Sequence, residues 1–146
     1  MRAKVARNIK EVSPKIKFVT TVHPSAIIGK NVSIGEGTAL MAGSIVNANS
    51  KVGRFAIVNT NASLDHDSYL GDFASLAPRV STGGNCKIGD YSAVSIGATI
   101  IHNIVIGEHT VIGAGSTVLN NIDSYTTAYG TPAKKIRLRD AGEKYL

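Results

Sequence analysis

From Val22 onward, every sixth residue of this chain is aliphatic almost without exception, and that period restricts the fold more than any other feature. The series runs Val22, Ile28, Ile34, Leu40, Val46, Val52, Val58, Leu64, Leu70, Leu76, Thr82, Ile88, Val94, Ile100, Ile106, Ile112 and Val118. Sixteen of these seventeen residues are Ile, Leu or Val, whereas chance placement would supply roughly four. Thr82 is the one interruption. In eight repeats the next residue is glycine: Gly29, Gly35, Gly53, Gly71, Gly83, Gly89, Gly107 and Gly113. The residue four after each aliphatic is usually Ala, Ser, Thr or Val.

Side chains alternate across a strand, so the small residue and the aliphatic two places later face one interior, and the two residues left over turn a corner. Three such strands per turn make a triangular prism with an eighteen-residue coil. The columns at that spacing agree: Asn31, Asn49, Asp67, Asn85, Asn103 and Asn121 form one, and Phe55, Phe73, Tyr91 and His109 form another. Asn and Asp tolerate the left-handed backbone region, and their amides can bond along a stack, so the Asn column has a structural role by default. The run amounts to almost six coils, roughly 27 Å of prism at about 4.8 Å per coil.

A chain of 146 residues has room for one such domain and short appendages. Fifteen glycines, no tryptophan and few aromatics suit a core of branched aliphatics between many turns. Cys86 is the only cysteine, which excludes an internal disulfide and makes a cytoplasmic location the default expectation. No stretch has signal-peptide or membrane-spanning length, so no membrane partner is expected. The net charge of +6 favours anionic partners in general. Its densest cluster, Lys134, Lys135, Arg137 and Arg139, lacks the interleaved aromatics that stack bases, and no nucleic-acid partner is expected.

The division expected is a helix and linking strand over 1–21, the prism over 22–136, and a tail or short helix over 137–146. Val5, Ile9 and Val12 fall at helical spacing before Ser13-Pro14, and this helix is expected to cover the open end of the prism. A second helix over Ile136 to Tyr145 is the expectation for the C-terminus, weakened by Gly142.

Parallel crossovers are normally right-handed, so the hand of the coil comes from resemblance. The hexads Ile28-Gly29, Ile34-Gly35, Ile88-Gly89, Ile106-Gly107 and Ile112-Gly113, closed by Gly130-Thr131-Pro132-Ala133-Lys134, resemble the left-handed parallel β-helix acyltransferases. Leu64-Asp65-His66-Asp67 resembles the His-acid signature of their sialic acid and amino-sugar members, and the likeness continues through Asn59-Thr60, Gly71-Asp72-Phe73, Pro78 and Gly83-Gly84. The resemblance implies transfer of an acetyl group from acetyl-CoA to an amine or hydroxyl of a sugar or nucleotide sugar. It implies His66 as general base, Asp67 as its assisting acid, the Gly84 N–H as oxyanion donor, and cofactor contacts at Ser75, Gly84, Ile96 and Ala114. It also implies a homotrimer with sites between subunits and no metal.

Two departures from the family pattern stand out. The second histidine that members often carry nine residues after the base is Ser75 here. Many members begin with a small α/β nucleotide-sugar-binding domain, of which residues 1–20 resemble only the last helix and linking strand. Two other classes compete. A γ-carbonic-anhydrase-like metalloenzyme would need His66 and His102 joined by a third ligand near His109. A non-catalytic scaffold or ice-binding prism would need a flat Thr ladder. His23, ahead of Pro24 at the entry to the first coil, has a structural reading.

Overall fold

The computed structural model describes residues 2–144. Each hexad is a two-residue strand and a turn, and the strands stack into three parallel sheets that wall a left-handed prism of about six coils. Sheet I begins at Thr21–Val22 and repeats at Ala39–Leu40, Ile57–Val58, Ser75–Leu76, Ala93–Val94 and Val111–Ile112. Sheet II runs from Ile27–Ile28 through Ser63–Leu64 and Ser81–Thr82 to Thr117–Val118, and sheet III from Ser33–Ile34 through Tyr69–Leu70 to Val105–Ile106. Partners across neighbouring coils are eighteen apart, as in Ser75↔Ala93 and Lys51↔Tyr69.

The aliphatic residue of each hexad points inward, and from Leu40 to Val118 these positions are buried. Packing one such residue over the next removes them from water together, which no single hexad could do alone. The glycine after the aliphatic answers to a different constraint. A Cβ built at Gly89 would lie 2.5 Å from the backbone N of Glu108, so the closeness of the next coil, rather than an unusual dihedral, demands glycine there.

Corners need a residue in the left-handed region, and two columns supply it by different means. At the II/III corner Asn31, Asn49, Asp67, Asn85 and Asn103 have φ between 56° and 61°. Asn31 Nδ2 donates to Asn49 Oδ1 at 3.1 Å and Asn49 Nδ2 to Asp67 Oδ1 at 3.2 Å, so the amide ladder ends on a carboxylate. At the III/I corner Phe55, Phe73, Tyr91, His109 and Tyr125 adopt the same conformation, which is unfavourable for bulky side chains. Face-to-face stacking at centroid separations of 4.9, 5.2, 4.6 and 5.1 Å offsets that cost.

Both ends differ from expectation. The helix forms at Arg2–Val12, but it does not cover the open end of the prism. It lies along the III/I corner, where the Arg2 guanidinium donates to the Phe73 carbonyl at 2.6 Å and Lys10 pairs with Glu36 at 3.2 Å. Ala6 is its only buried residue, Val12 stays 88% exposed, and Ile27 and Ile28 of the first coil remain exposed. Two of its cations are held along the corner, Arg2 by the Phe73 and Ala74 carbonyls and Lys10 by Glu36 and the face of Phe18. Residues 16–20 are extended without strand pairing.

At the other end the coil shortens: Ile112 pairs with Ala128, sixteen residues on, which is why the hexads fail at Ser124. The chain then reverses after Gly130, and Ala133–Leu138 returns as a strand antiparallel to Thr126–Gly130. This replaces the expected C-terminal helix, because pairing satisfies the backbone edge that Thr126–Gly130 would otherwise leave open. Residues 139–144 turn back through contacts of Arg137 and Arg139 with Glu143, and Tyr145 lies outside the described residues. No helix among the described residues is long and apolar enough to cross a membrane.

Candidate active site

The II/III corner brings together three of the site residues expected from the sequence. It follows the Ser63–Leu64 strand, and its first three residues are Asp65, His66 and Asp67. The corner is fixed from inside and from the coil before it. Ser50 Oγ donates to the Asp65 carbonyl at 2.7 Å and accepts the Ser68 N–H at 3.1 Å, while Ser68 Oγ donates to the His66 carbonyl at 3.2 Å. The Asp65 carboxylate accepts the His66 N–H at 2.8 Å and Asn47 Nδ2 at 2.6 Å. Hydrogen bonds to the charged form, chiefly the one from Asn47, hold Asp65 below the usual carboxylate range.

His66 is half exposed and turns its Nδ1 to Asp67 Oδ2 at 2.7 Å. That bond raises the imidazole above its ordinary value and is also the main cause that lowers Asp67, which Asn49 lowers further. A proton kept on Nδ1 by the carboxylate leaves Nε2 as the acceptor. The ring lies over Gly84 of the next coil: a Cβ there would sit 2.5 Å from both Cε1 and Nε2 of His66. Only glycine leaves that space. The Gly84 N–H donates to no protein acceptor among the described residues.

His66, Asp67 and Gly84 thus converge. The other site residues expected from the sequence do not join them within one chain. Ser75 lies on sheet I, paired with Ile57 and Ala93. Ile96 and Ala114 lie on the I/II corner, one coil apart, where the Gly115 N–H bonds the Ile96 carbonyl at 2.9 Å. The width of sheet II separates them from His66. His102 is on the His66 corner two coils along, but His109 is stacked between Tyr91 and Tyr125 on the III/I corner. The three histidines of the metalloenzyme alternative are therefore not brought together, and the described residues contain no group of three or more His, Cys, Asp or Glu that could hold a metal ion. Asn47, the residue that locks Asp65, went unnoticed in the sequence, although it sits eighteen residues before its partner.

The electrostatics give a signed expectation. A base acts only when neutral, so raising the imidazole places the acidic limb of kcat/KM above pH 6.5, the ordinary value. Asp67→Asn removes the carboxylate that raises it. The limb should move to lower pH and the plateau rate fall about tenfold, as a pH series of initial rates will read. A limb that stays in place would mean that Asp67 serves the corner alone.

The bacterial transferase hexapeptide (six repeats) family matches residues 85–120. Among solved structures, the chain is similar to PerB from Caulobacter crescentus in complex with CoA and GDP-perosamine, at 36% identity over 93% of this chain and 65% of that one, with a TM-score of 0.89. It is similar to the acetyltransferase domain of PglB from Neisseria gonorrhoeae FA1090 in complex with acetyl coenzyme A, at 32% identity over 91% of this chain and 66% of that one, with a TM-score of 0.86. WeeI from Acinetobacter baumannii AYE aligns at 26% identity over 92% and 65%, with a TM-score of 0.87. The chain spans a little under two thirds of the length of each. No curated protein matches it. Its hexads, its three parallel walls and these likenesses agree: the chain folds as the left-handed β-helix of the hexapeptide-repeat proteins, and among them it is similar to a GDP-perosamine N-acetyltransferase and to the PglB acetyltransferase domain.

Proposed function

We propose that this chain carries the acetyl-transfer centre of an acetyl-CoA-dependent sugar acetyltransferase, with a sugar or nucleotide sugar as acceptor. The observation that carries the reading is the His66 ring, bonded through Nδ1 to Asp67 and lying over a Gly84 whose N–H is unspent. The likeness to proteins that bind CoA, acetyl-CoA and GDP-perosamine supports the substrate classes.

In this reading Nε2 of His66 removes a proton from the acceptor amine or hydroxyl as it attacks the thioester carbonyl carbon. A new C–N or C–O bond forms, and the carbonyl oxygen takes negative charge. The Gly84 N–H donates to that oxygen, a contact stronger in the transition state than in the ground state. Collapse breaks the C–S bond, and coenzyme A leaves as a thiol with the proton returned by His66. No acyl-enzyme is needed.

The cofactor contacts expected at Ser75, Ile96 and Ala114 lie off the His66 corner, so we read the complete site as shared between neighbouring copies in a homotrimer. Sheet II would suit such an approach: beyond Ile27 and Ile45, its outward column continues with the small, hydroxylic Ser63, Ser81, Thr99 and Thr117.

The test is a coenzyme A release assay on the purified chain with acetyl-CoA and a panel of amino sugars and nucleotide sugars, GDP-perosamine included, with mass spectrometry of the products. Release dependent on one acceptor, with that acceptor heavier by one acetyl group, is the expected result. No release with any acceptor, together with no binding of acetyl-CoA, would sink the reading.

A further inference from the structure

Thr82 breaks the aliphatic rule one coil above His66, and it also breaks the hydrogen-bond ladder. The hydroxyl-bearing side chain is 5% exposed, in a position that every neighbouring coil fills with Ile, Leu or Val. At this corner the first residue after each strand donates its N–H to the carbonyl of the aliphatic residue one coil on. Gly29 bonds Val46 at 2.8 Å, Asn47 bonds Leu64 at 2.9 Å, Gly83 bonds Ile100 at 2.8 Å and Ile101 bonds Val118 at 3.1 Å. Asp65 departs from the series: its N–H goes to Thr82 Oγ1 at 2.9 Å.

The Thr82 carbonyl is left with no protein donor among the described residues. The Ser63–Leu64 and Ser81–Thr82 strands pair only at Ser63↔Ser81, whereas the other parallel pairings between named strands each hold two residue pairs, as at Ser81↔Thr99 with Thr82↔Ile100.

For folding alone this exchange has no advantage. A valine would fill the same volume, keep the interior aliphatic, and leave Asp65 a carbonyl partner, whereas threonine buries a hydroxyl and orphans that carbonyl. The exchange does move the anchor. Asp65 immediately precedes His66, and its carboxylate holds the His66 N–H. An anchor on Oγ1 therefore fixes where the catalytic corner starts relative to the coil that carries Gly84.

We propose that Thr82 is a positioning residue for the active site, whose hydroxyl sets the Asp65–His66 peptide so that the imidazole lies over Gly84. The catalytic part of this inference rests on His66 being the base; the structural part does not.

Two variants separate the possibilities. Thr82→Val should unfold at the same temperature as wild type or higher, because it restores the ladder. Its kcat for acetyl transfer from acetyl-CoA to GDP-perosamine should fall about ten- to a hundredfold, with KM for acetyl-CoA little changed, as expected for a displacement of well under 1 Å at a reacting group. Thr82→Ser, which keeps Oγ, should retain kcat within about threefold.

The readout independent of turnover is the NMR titration of the His66 ring, identified by the signal lost in His66→Ala. Asp65 and Asp67 are the charged groups facing that ring, and its midpoint should move in Thr82→Val and stay in Thr82→Ser. An unmoved midpoint in Thr82→Val, or a serine variant that behaves like the valine, overturns the proposal. So does an unchanged kcat in an active enzyme. A moved midpoint in a protein that transfers no acetyl group would keep the positioning role and remove the reading of His66 as base.

Discussion

Replacing His66 by alanine is expected to lower acetyl transfer by about 10²- to 10⁴-fold, the range that a positioned general base contributes. The loss should appear in kcat with little change in KM for acetyl-CoA, because in the proposed mechanism the imidazole acts on the acceptor proton and not on the cofactor. Stability should hardly move. The His66 side chain is half exposed, and the corner is fixed by Ser68 and Asp65 through the His66 backbone, which alanine keeps, and by Ser50 through the Asp65 carbonyl. Thermal unfolding alongside initial rates will check both halves. A fully active His66→Ala enzyme would require another group to take the proton.

Gly84→Ala should do nearly as much damage from the other side. Gly84 is not among the residues at positive φ, so its backbone admits an alanine, and the three atoms nearest to the added methyl all belong to the His66 ring, at 2.5 to 3.0 Å. A side-chain end can swing away at little cost to folding. Once it does, in the proposed mechanism Nε2 no longer meets the acceptor proton beside the thioester that the Gly84 N–H polarises, and a misplacement near 1 Å costs about 10²-fold. The expected signature is a folded protein with a normal unfolding midpoint and a collapsed kcat. A crystal structure of the variant would show the ring displaced, and a fully active variant with the ring displaced would exclude a catalytic need for the imidazole to lie over Gly84.

Much of this architecture is legible in the sequence because the fold repeats. Val22 to Val118 state the interior, and the eighteen-residue columns place His66, Gly84 and His102 on one corner and His109 on another before any coordinate is consulted. Periodicity is silent where the chain stops repeating. It could not show that the Arg2–Val12 helix follows cations to the aromatic corner, nor that a coil two residues shorter would be followed by a reversing strand. Within the site, the columns gave positions but not bonds. Thr82 was visible as a lapse, yet its hydroxyl could as easily have faced an empty interior as the Asp65 N–H. Ser75, Ile96 and Ala114 rest on likeness alone, and within one chain they lie off the His66 corner.

The eighteen-residue coil also makes the length of this protein discrete. Six residues added between Val94 and Ile112 would turn every later side chain onto the next wall, and the Ala114 column would leave the Ile96 column entirely. Eighteen would instead shift everything beyond by about 4.8 Å along the axis without rotation. The reach between the His66 corner and the far end of the prism can therefore change only in whole steps. Lineages of such prisms would differ by complete turns, with the corner that holds the base kept in phase.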